Sequence, residues 1–103
     1  MPEPELPVVL TAPARADITT IFEYLCEQAS PVVASDIYSQ FFDIFDRLGH
    51  YPESGAPRDN VFPHYRMVPV SSWAVWYYFQ PQSQEVTILR VLHGAMDAER
   101  HLL

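Results

Sequence analysis

The 103-residue chain carries six arginines, no lysine, thirteen Asp or Glu and four histidines, for a formal net charge of −7 and a pI near 4.8. Domains commonly run to about 100–150 residues, so one domain is the natural reading, and 49% hydrophobic with 14% aromatic residues excludes a disordered chain. So acidic a chain repels phosphates, which argues against direct nucleic-acid binding through a general basic surface.

The first seven residues, Met-Pro-Glu-Pro-Glu-Leu-Pro, read as a flexible lead-in. They lack a positive n-region and an apolar h-region, so they form no signal peptide, and no run approaches the roughly 20 apolar residues of a membrane span. A cytoplasmic address is expected. Val8-Val9-Leu10 is long enough for a short strand. Thr11 is placed to cap a helix over about residues 12–29, with Pro13 tolerated in its first turn. Ile18, Ile21, Phe22 and Leu25 recur at the spacing of one helical face. Cys26 follows them as a small packing residue; as the lone cysteine it can form no internal disulfide.

Ser30-Pro31 repeats the cap-and-proline signal and opens a second helix. Ile37, Phe41, Ile44 and Leu48 form one stripe on it, with Tyr38, Phe42 and Phe45 beside them, so the apolar surface should touch more than one neighbour. Gly49 is placed for a left-handed helix end, and Pro52 blocks continuation. The short connection predicts an antiparallel helix hairpin.

Residues 52–63 are turn-rich. Three β-type runs follow, Tyr65–Ser71, Trp73–Phe79 and Glu85–His93, whose short connections predict an antiparallel meander. The middle run is apolar on both faces and belongs at the sheet's centre, while Pro69 marks a strand with one open side. Ala95–Leu103 has room for a short terminal helix. The plan is α+β, in the order β-α-α-β-β-β, with the hairpin packed on one face of a twisted antiparallel sheet.

Residues 1–51 hold eight acids and two arginines, residues 52–103 five acids and four arginines, so the helical half is the acidic half. His93, Asp97 and His101 are spaced like metal ligands on a helix, but Gly94 ends the strand that holds His93, and no metal or other cofactor is expected. Glu23 with Glu27, and Asp43 with Asp46, read as a solvated acidic face rather than as catalytic pairs. The aromatic run Trp73, Trp76, Tyr77, Tyr78, Phe79 lacks the cationic groove that base stacking needs, and reads as core plus a protein-binding face. Arg66 and Arg90 sit inside apolar strands, where an unpaired charge is costly. Two roles fit them: pairing with a carboxylate such as Asp97 to pin the sheet, or a functional cluster on an open sheet face.

Particular words resemble the ParE-type toxins of the RelE/ParE superfamily across about Leu10–Leu103. They are Pro13-Ala-Arg-Ala-Asp-Ile18, Leu48-Gly-His-Tyr-Pro-Glu-Ser-Gly55, Tyr65-Arg-Met-Val-Pro-Val70, Trp76-Tyr-Tyr78, and Ile88-Leu-Arg-Val-Leu-His93 running into Met96-Asp97 and His101-Leu102. The resemblance implies the toxin of a type II toxin–antitoxin module. ParE-like proteins poison DNA gyrase without enzymatic chemistry, and a ParD-like antitoxin neutralises them in a hetero-oligomeric complex; RelE-like relatives are ribosome-dependent mRNA endonucleases. The absence of lysine and of a C-terminal tyrosine beyond Tyr78 departs from the nuclease pattern. The alternatives are an mRNA endonuclease or a non-toxic remnant that keeps antitoxin binding. The residues expected to meet a target or pin the sheet are Arg66, Arg90, His93, Met96 and Asp97. Those expected to line the antitoxin groove are Tyr38, Phe42, Phe45, Trp73, Trp76 and Tyr78, with an open strand edge available for an added strand.

Overall fold

The computed structural model describes residues 5–94 and 96–102. The elements are β1 (Val8–Leu10), α1 (Ala12–Gln28), α2 (Pro31–His50), β2 (Ala56–Pro57), β3 (Tyr65–Val70), β4 (Trp73–Tyr78), β5 (Val86–His93) and α3 (Ala98–Leu102). Both helices start as their sequences dictate. Thr11 Oγ1 accepts from Ala14 N at 3.1 Å and Ser30 Oγ accepts from Val33 N at 3.1 Å, each ahead of a proline in the first turn.

The five strands lie in the order β1-β5-β4-β3-β2. The β3-β4-β5 meander is antiparallel, with β4 at the centre, and β2 adds a short antiparallel rung drawn from the predicted loop. β1 departs from the antiparallel expectation, since it pairs with β5 in parallel, Val8 opposite Val86. Parallel pairing is available because the chain between them is long: the two helices carry it across to β3, and two antiparallel reversals, β3 to β4 and β4 to β5, leave β5 running alongside β1. Pro69 lies where β2 no longer covers β3, so its missing N–H costs no ladder bond.

Alternation along β4 splits the core. Val75, Tyr77 and Phe79 join Ile18, Ile21, Phe41, Phe45 and Leu48 beneath the helix hairpin. Ala74 and Trp76 point to the other face, where with Leu92 they pack against Val61, Met67, Ala98 and Leu102. The expected terminal helix is therefore present as α3 and covers the far face; Ala95 and Leu103, at the ends of the span considered for it, lie outside the described residues, as do residues 1–4 of the lead-in.

Gly49 does not end its helix in the left-handed region, for no glycine here has a positive φ and α2 runs on to His50. Its smallness serves a close approach instead. Leu6 N donates to Gly49 O at 2.9 Å, and a Cβ on residue 49 would stand 2.8 Å from Leu6 O. Leu6 thus docks on the end of α2 just before the chain enters β1.

Candidate functional site

The Arg90 side chain leaves β5 on the edge where β1 has stopped. Its Nε donates to Asp17 Oδ2 at 2.7 Å and its Nη2 to Asp17 Oδ1 at 2.9 Å, a two-pronged pair, while Nη1 reaches His101 O at 3.3 Å. Asp17 Oδ2 also accepts from Val91 N at 2.9 Å. Beside it Thr11 N donates to Ile88 O and Thr11 Oγ1 to Leu89 O. Thr11 and Asp17 therefore continue along β5 the bonding that β1 begins. The Asp17 hydrogen bonds, above all, hold the Arg90 proton more tightly than usual. Of the two roles open to Arg90, pairing with a carboxylate is the one observed, but the carboxylate is Asp17 and not Asp97. Asp97 Oδ1 instead accepts from Glu99 N at 3.1 Å, at the start of α3, because a short helix leaves its first amides unpaired.

Arg66 lies two strands away and on the opposite face, because its register partner is Tyr77 while that of Arg90 is Trp76. Its Nη1 donates to Glu53 O at 2.9 Å and Gly55 O at 2.7 Å. The buried Tyr77 hydroxyl joins this arrangement, donating to Pro52 O at 2.8 Å and accepting from Gly55 N at 2.9 Å. Burial pushes the Tyr77 hydroxyl above its ordinary pKa. Arg66 and Tyr77 together hold the loop after α2. Neither strand arginine stands in an open cluster, so Arg66, Arg90 and Asp97 bind within the fold, whereas His93 and Met96 are exposed near the end of β5.

The six aromatics expected in one groove divide between the two faces. Tyr38 and Phe42 are exposed on α2 and form an edge-and-tilt series with Phe22 and Phe45, at centroid spacings of 5.7, 4.7 and 5.3 Å. Phe45 is buried in the main core. Trp73 edges against Phe41 on the helix side, and its ring meets His93 at 6.2 Å. Trp76 is buried on the far face, and Tyr78 packs edge-on to Tyr65 and His64. Alternation along a strand makes this division unavoidable, since Trp73 and Trp76 are three apart.

A groove does exist on the helix side. It runs between the α1/α2 hairpin and the β3–β4 turn, encloses about 520 Å³, and is lined by Tyr24, Leu25, Val33, Ile37, Trp73 and His93 among others. Ser71, at φ 54°, shapes the two-residue turn at its rim.

The donor atoms of His93, Asp97 and His101 do not converge among the described residues; those of Glu5, Asp46 and His50 lie within 4.8 Å of one another on the surface. His50 Nδ1 donates to Asp46 O at 3.0 Å, and this bond, with Glu5 and the Asp46 carboxylate nearby, raises its pKa above 6.5. A raised folded pKa places the stabilising contribution below pH about 6.5 and removes it as pH rises through the folded value. A melting series from about pH 5.5 to 8.5 should show a shallow decline over that window, absent in His50→Gln.

A helix hairpin lies on one face of an open, mainly antiparallel sheet with a short terminal helix behind it, the architecture that the resemblance to the RelE/ParE superfamily implied. A family model described as the ParE toxin of the type II toxin-antitoxin system parDE matches residues 8–98, and the chain belongs to that family. It is 32% identical over 95 residues to Toxin ParE3 of Caulobacter vibrioides, covering 92% of this chain and 93% of that protein. To Toxin ParE1 of the same organism it is 29% identical over 96 residues, covering 93% and 97%. The fold matches the chromosomal ParDE toxin–antitoxin system of P. aeruginosa with a TM-score of 0.73 at 18% identity, covering 88% of this chain and 98% of that one. It also matches the RelBE2 toxin–antitoxin complex of Mycobacterium tuberculosis, at TM-score 0.62 and 20% identity over 86% of this chain and 98% of that one. The chain is thus a ParE-family toxin of a type II toxin–antitoxin system. Among the described residues no helix is long and apolar enough to cross a membrane.

Asp17 is the residue that sequence reasoning missed. A signal was present: it stands three residues after Ala14 and four before Ile21, both buried, so it lies on the apolar stripe of α1.

Proposed function

We propose that this toxin inhibits DNA gyrase in the cytoplasm through protein contact, without catalysis, and that a ParD-like antitoxin neutralises it. The observation that carries the reading is the commitment of the two strand arginines, Arg90 to Asp17 and Arg66 to loop carbonyls. Cleaving RNA calls for several cations around one phosphate together with an acid or base. The remaining arginines lie on separate elements, Arg15 on α1, Arg47 on α2, Arg100 on α3 and Arg58 bonded to Pro57 O beyond β2; of these, Arg47 shares with Arg66 the neighbourhood of the Tyr77 hydroxyl. A protein target needs no such convergence, and Met96, 42% exposed beside His93, offers an apolar contact.

The test pairs a supercoiling assay on purified gyrase with a cleavage assay on ribosome-bound message. Loss of supercoiling with intact message is the expected result; codon-specific cuts with normal supercoiling would overturn the reading in favour of a ribonuclease, and inactivity in both assays would favour a non-toxic remnant. Met96→Glu should weaken inhibition roughly tenfold or more, as expected for an apolar interface contact, while the melting temperature stays unchanged.

A further inference from the structure

Among the described residues the most lopsided surface is the helix hairpin. Between Arg15 and Arg47 the chain holds six carboxylates and no cation. Asp17 is paired with Arg90, but Glu23, Glu27, Asp36, Asp43 and Asp46 are exposed. None of the five lines the groove, but three stand one helical turn from residues that do. Residues three apart on a helix are surface neighbours, so Glu23 lies beside Thr20, Glu27 beside Tyr24, and Asp36 beside Val33, each of the latter a lining residue. The floor is apolar, formed by Leu25, Ile37 and Trp73, and no Lys or Arg lines it.

We infer that this groove takes an amphipathic segment of the antitoxin whose apolar stripe is flanked by arginine or lysine. The inference rests on the antitoxin reading above and adds the chemistry of the partner. Apolar burial on the floor supplies affinity, and the acidic helix surface beside it chooses the sign of the flanking residues. An acidic segment would set like charges against Glu23, Glu27 and Asp36. A second copy of this chain would bring an equally acidic hairpin to the same place, and an anionic lipid surface would be repelled likewise.

Two designed helical peptides with the same apolar stripe, one flanked by Arg and one by Glu, test the point by calorimetric titration of the full chain. The Arg peptide should bind, and should weaken at least tenfold between about 0.05 and 0.5 M NaCl, where charge interactions are screened. The Glu peptide should bind far more weakly. Binding should change the fluorescence of Trp73, and Trp73→Phe should remove that signal, Trp76 being buried on the far face. The triple variant Glu23→Gln, Glu27→Gln, Asp36→Asn, whose sites are all exposed, should melt normally and bind the Arg peptide roughly tenfold less tightly. Equal binding of both peptides, insensitivity to salt, or unchanged affinity in the triple variant would overturn the inference. The antitoxin expressed from the adjacent gene separates the two claims. If it binds wild type and triple variant equally, at any salt, the charge inference fails and the antitoxin reading stands; if it does not bind at all, both fall.

Discussion

Asp17→Ala should lower stability by about 2–4 kcal/mol, read as a fall of roughly 10–20 °C in melting temperature. The Asp17 side chain is 15% exposed and that of Arg90 25%, so screening removes only part of the interaction. Truncation leaves a half-buried guanidinium without its carboxylate, and it also deprives Val91 N–H of its acceptor at 2.9 Å. Asp17→Asn keeps an oxygen for Val91 and should cost less. Arg90→Ala combined with Asp17→Ala should lose less than the sum of the single changes, because the uncompensated charge is gone in the double variant. Additive losses would mean that the pair is not coupled. The Asp17→Ala protein should also show faster amide exchange in β5, measured beside the melting curve.

The second large effect belongs to Tyr77. Tyr77→Phe keeps the ring in the core but removes the hydroxyl that links Gly55 N with Pro52 O, leaving both backbone groups unpaired. The expected cost is about 1–3 kcal/mol, with faster exchange at the Gly55 amide as its local signature. Gly55→Ala strikes the same spot from the other side. A Cβ there would stand 2.5 Å from the Tyr77 hydroxyl, so either the loop or the ring must move. A melting point for Gly55→Ala equal to wild type would show that the loop yields freely. In that case the Arg66 bonds to Glu53 O and Gly55 O would hold it alone.

Much of this architecture is legible in the chain itself. Thr11 and Ser30 announce both helices, because side-chain oxygens before a proline-bearing first turn have a local and unambiguous use. The meander follows from three apolar runs with short joints. What escapes is long-range. Nothing near Val8 says that its neighbour will be Val86 in parallel, and nothing near Arg90 names a carboxylate 73 positions earlier. Gly49 shows how one local signal admits two uses, a left-handed helix end or a close approach, and only the position of Leu6 decides. The aromatic run of β4 is similar. Its composition shows that both faces are covered, yet the assignment of Trp73 to the groove and Trp76 to the far face depends on which side the helices take. The candidate site is accordingly half readable: the importance of the strand arginines is visible, and their consumption by the fold is not.

The place of β5 in the sheet bears on how this toxin is born. Among the described strands it is the last to be synthesised, yet it lies between β1 and β4 and receives the side chains of Thr11 and Asp17. The hairpin, made first, has no complete sheet to close upon until residues 86–93 have left the ribosome. Pairings between such distant parts of a chain form slowly, so the folding rate should be governed by this final docking. The nascent sheet is therefore open between β1 and β4 until β5 is made, and the groove, which His93 of β5 helps to line, takes shape only after that.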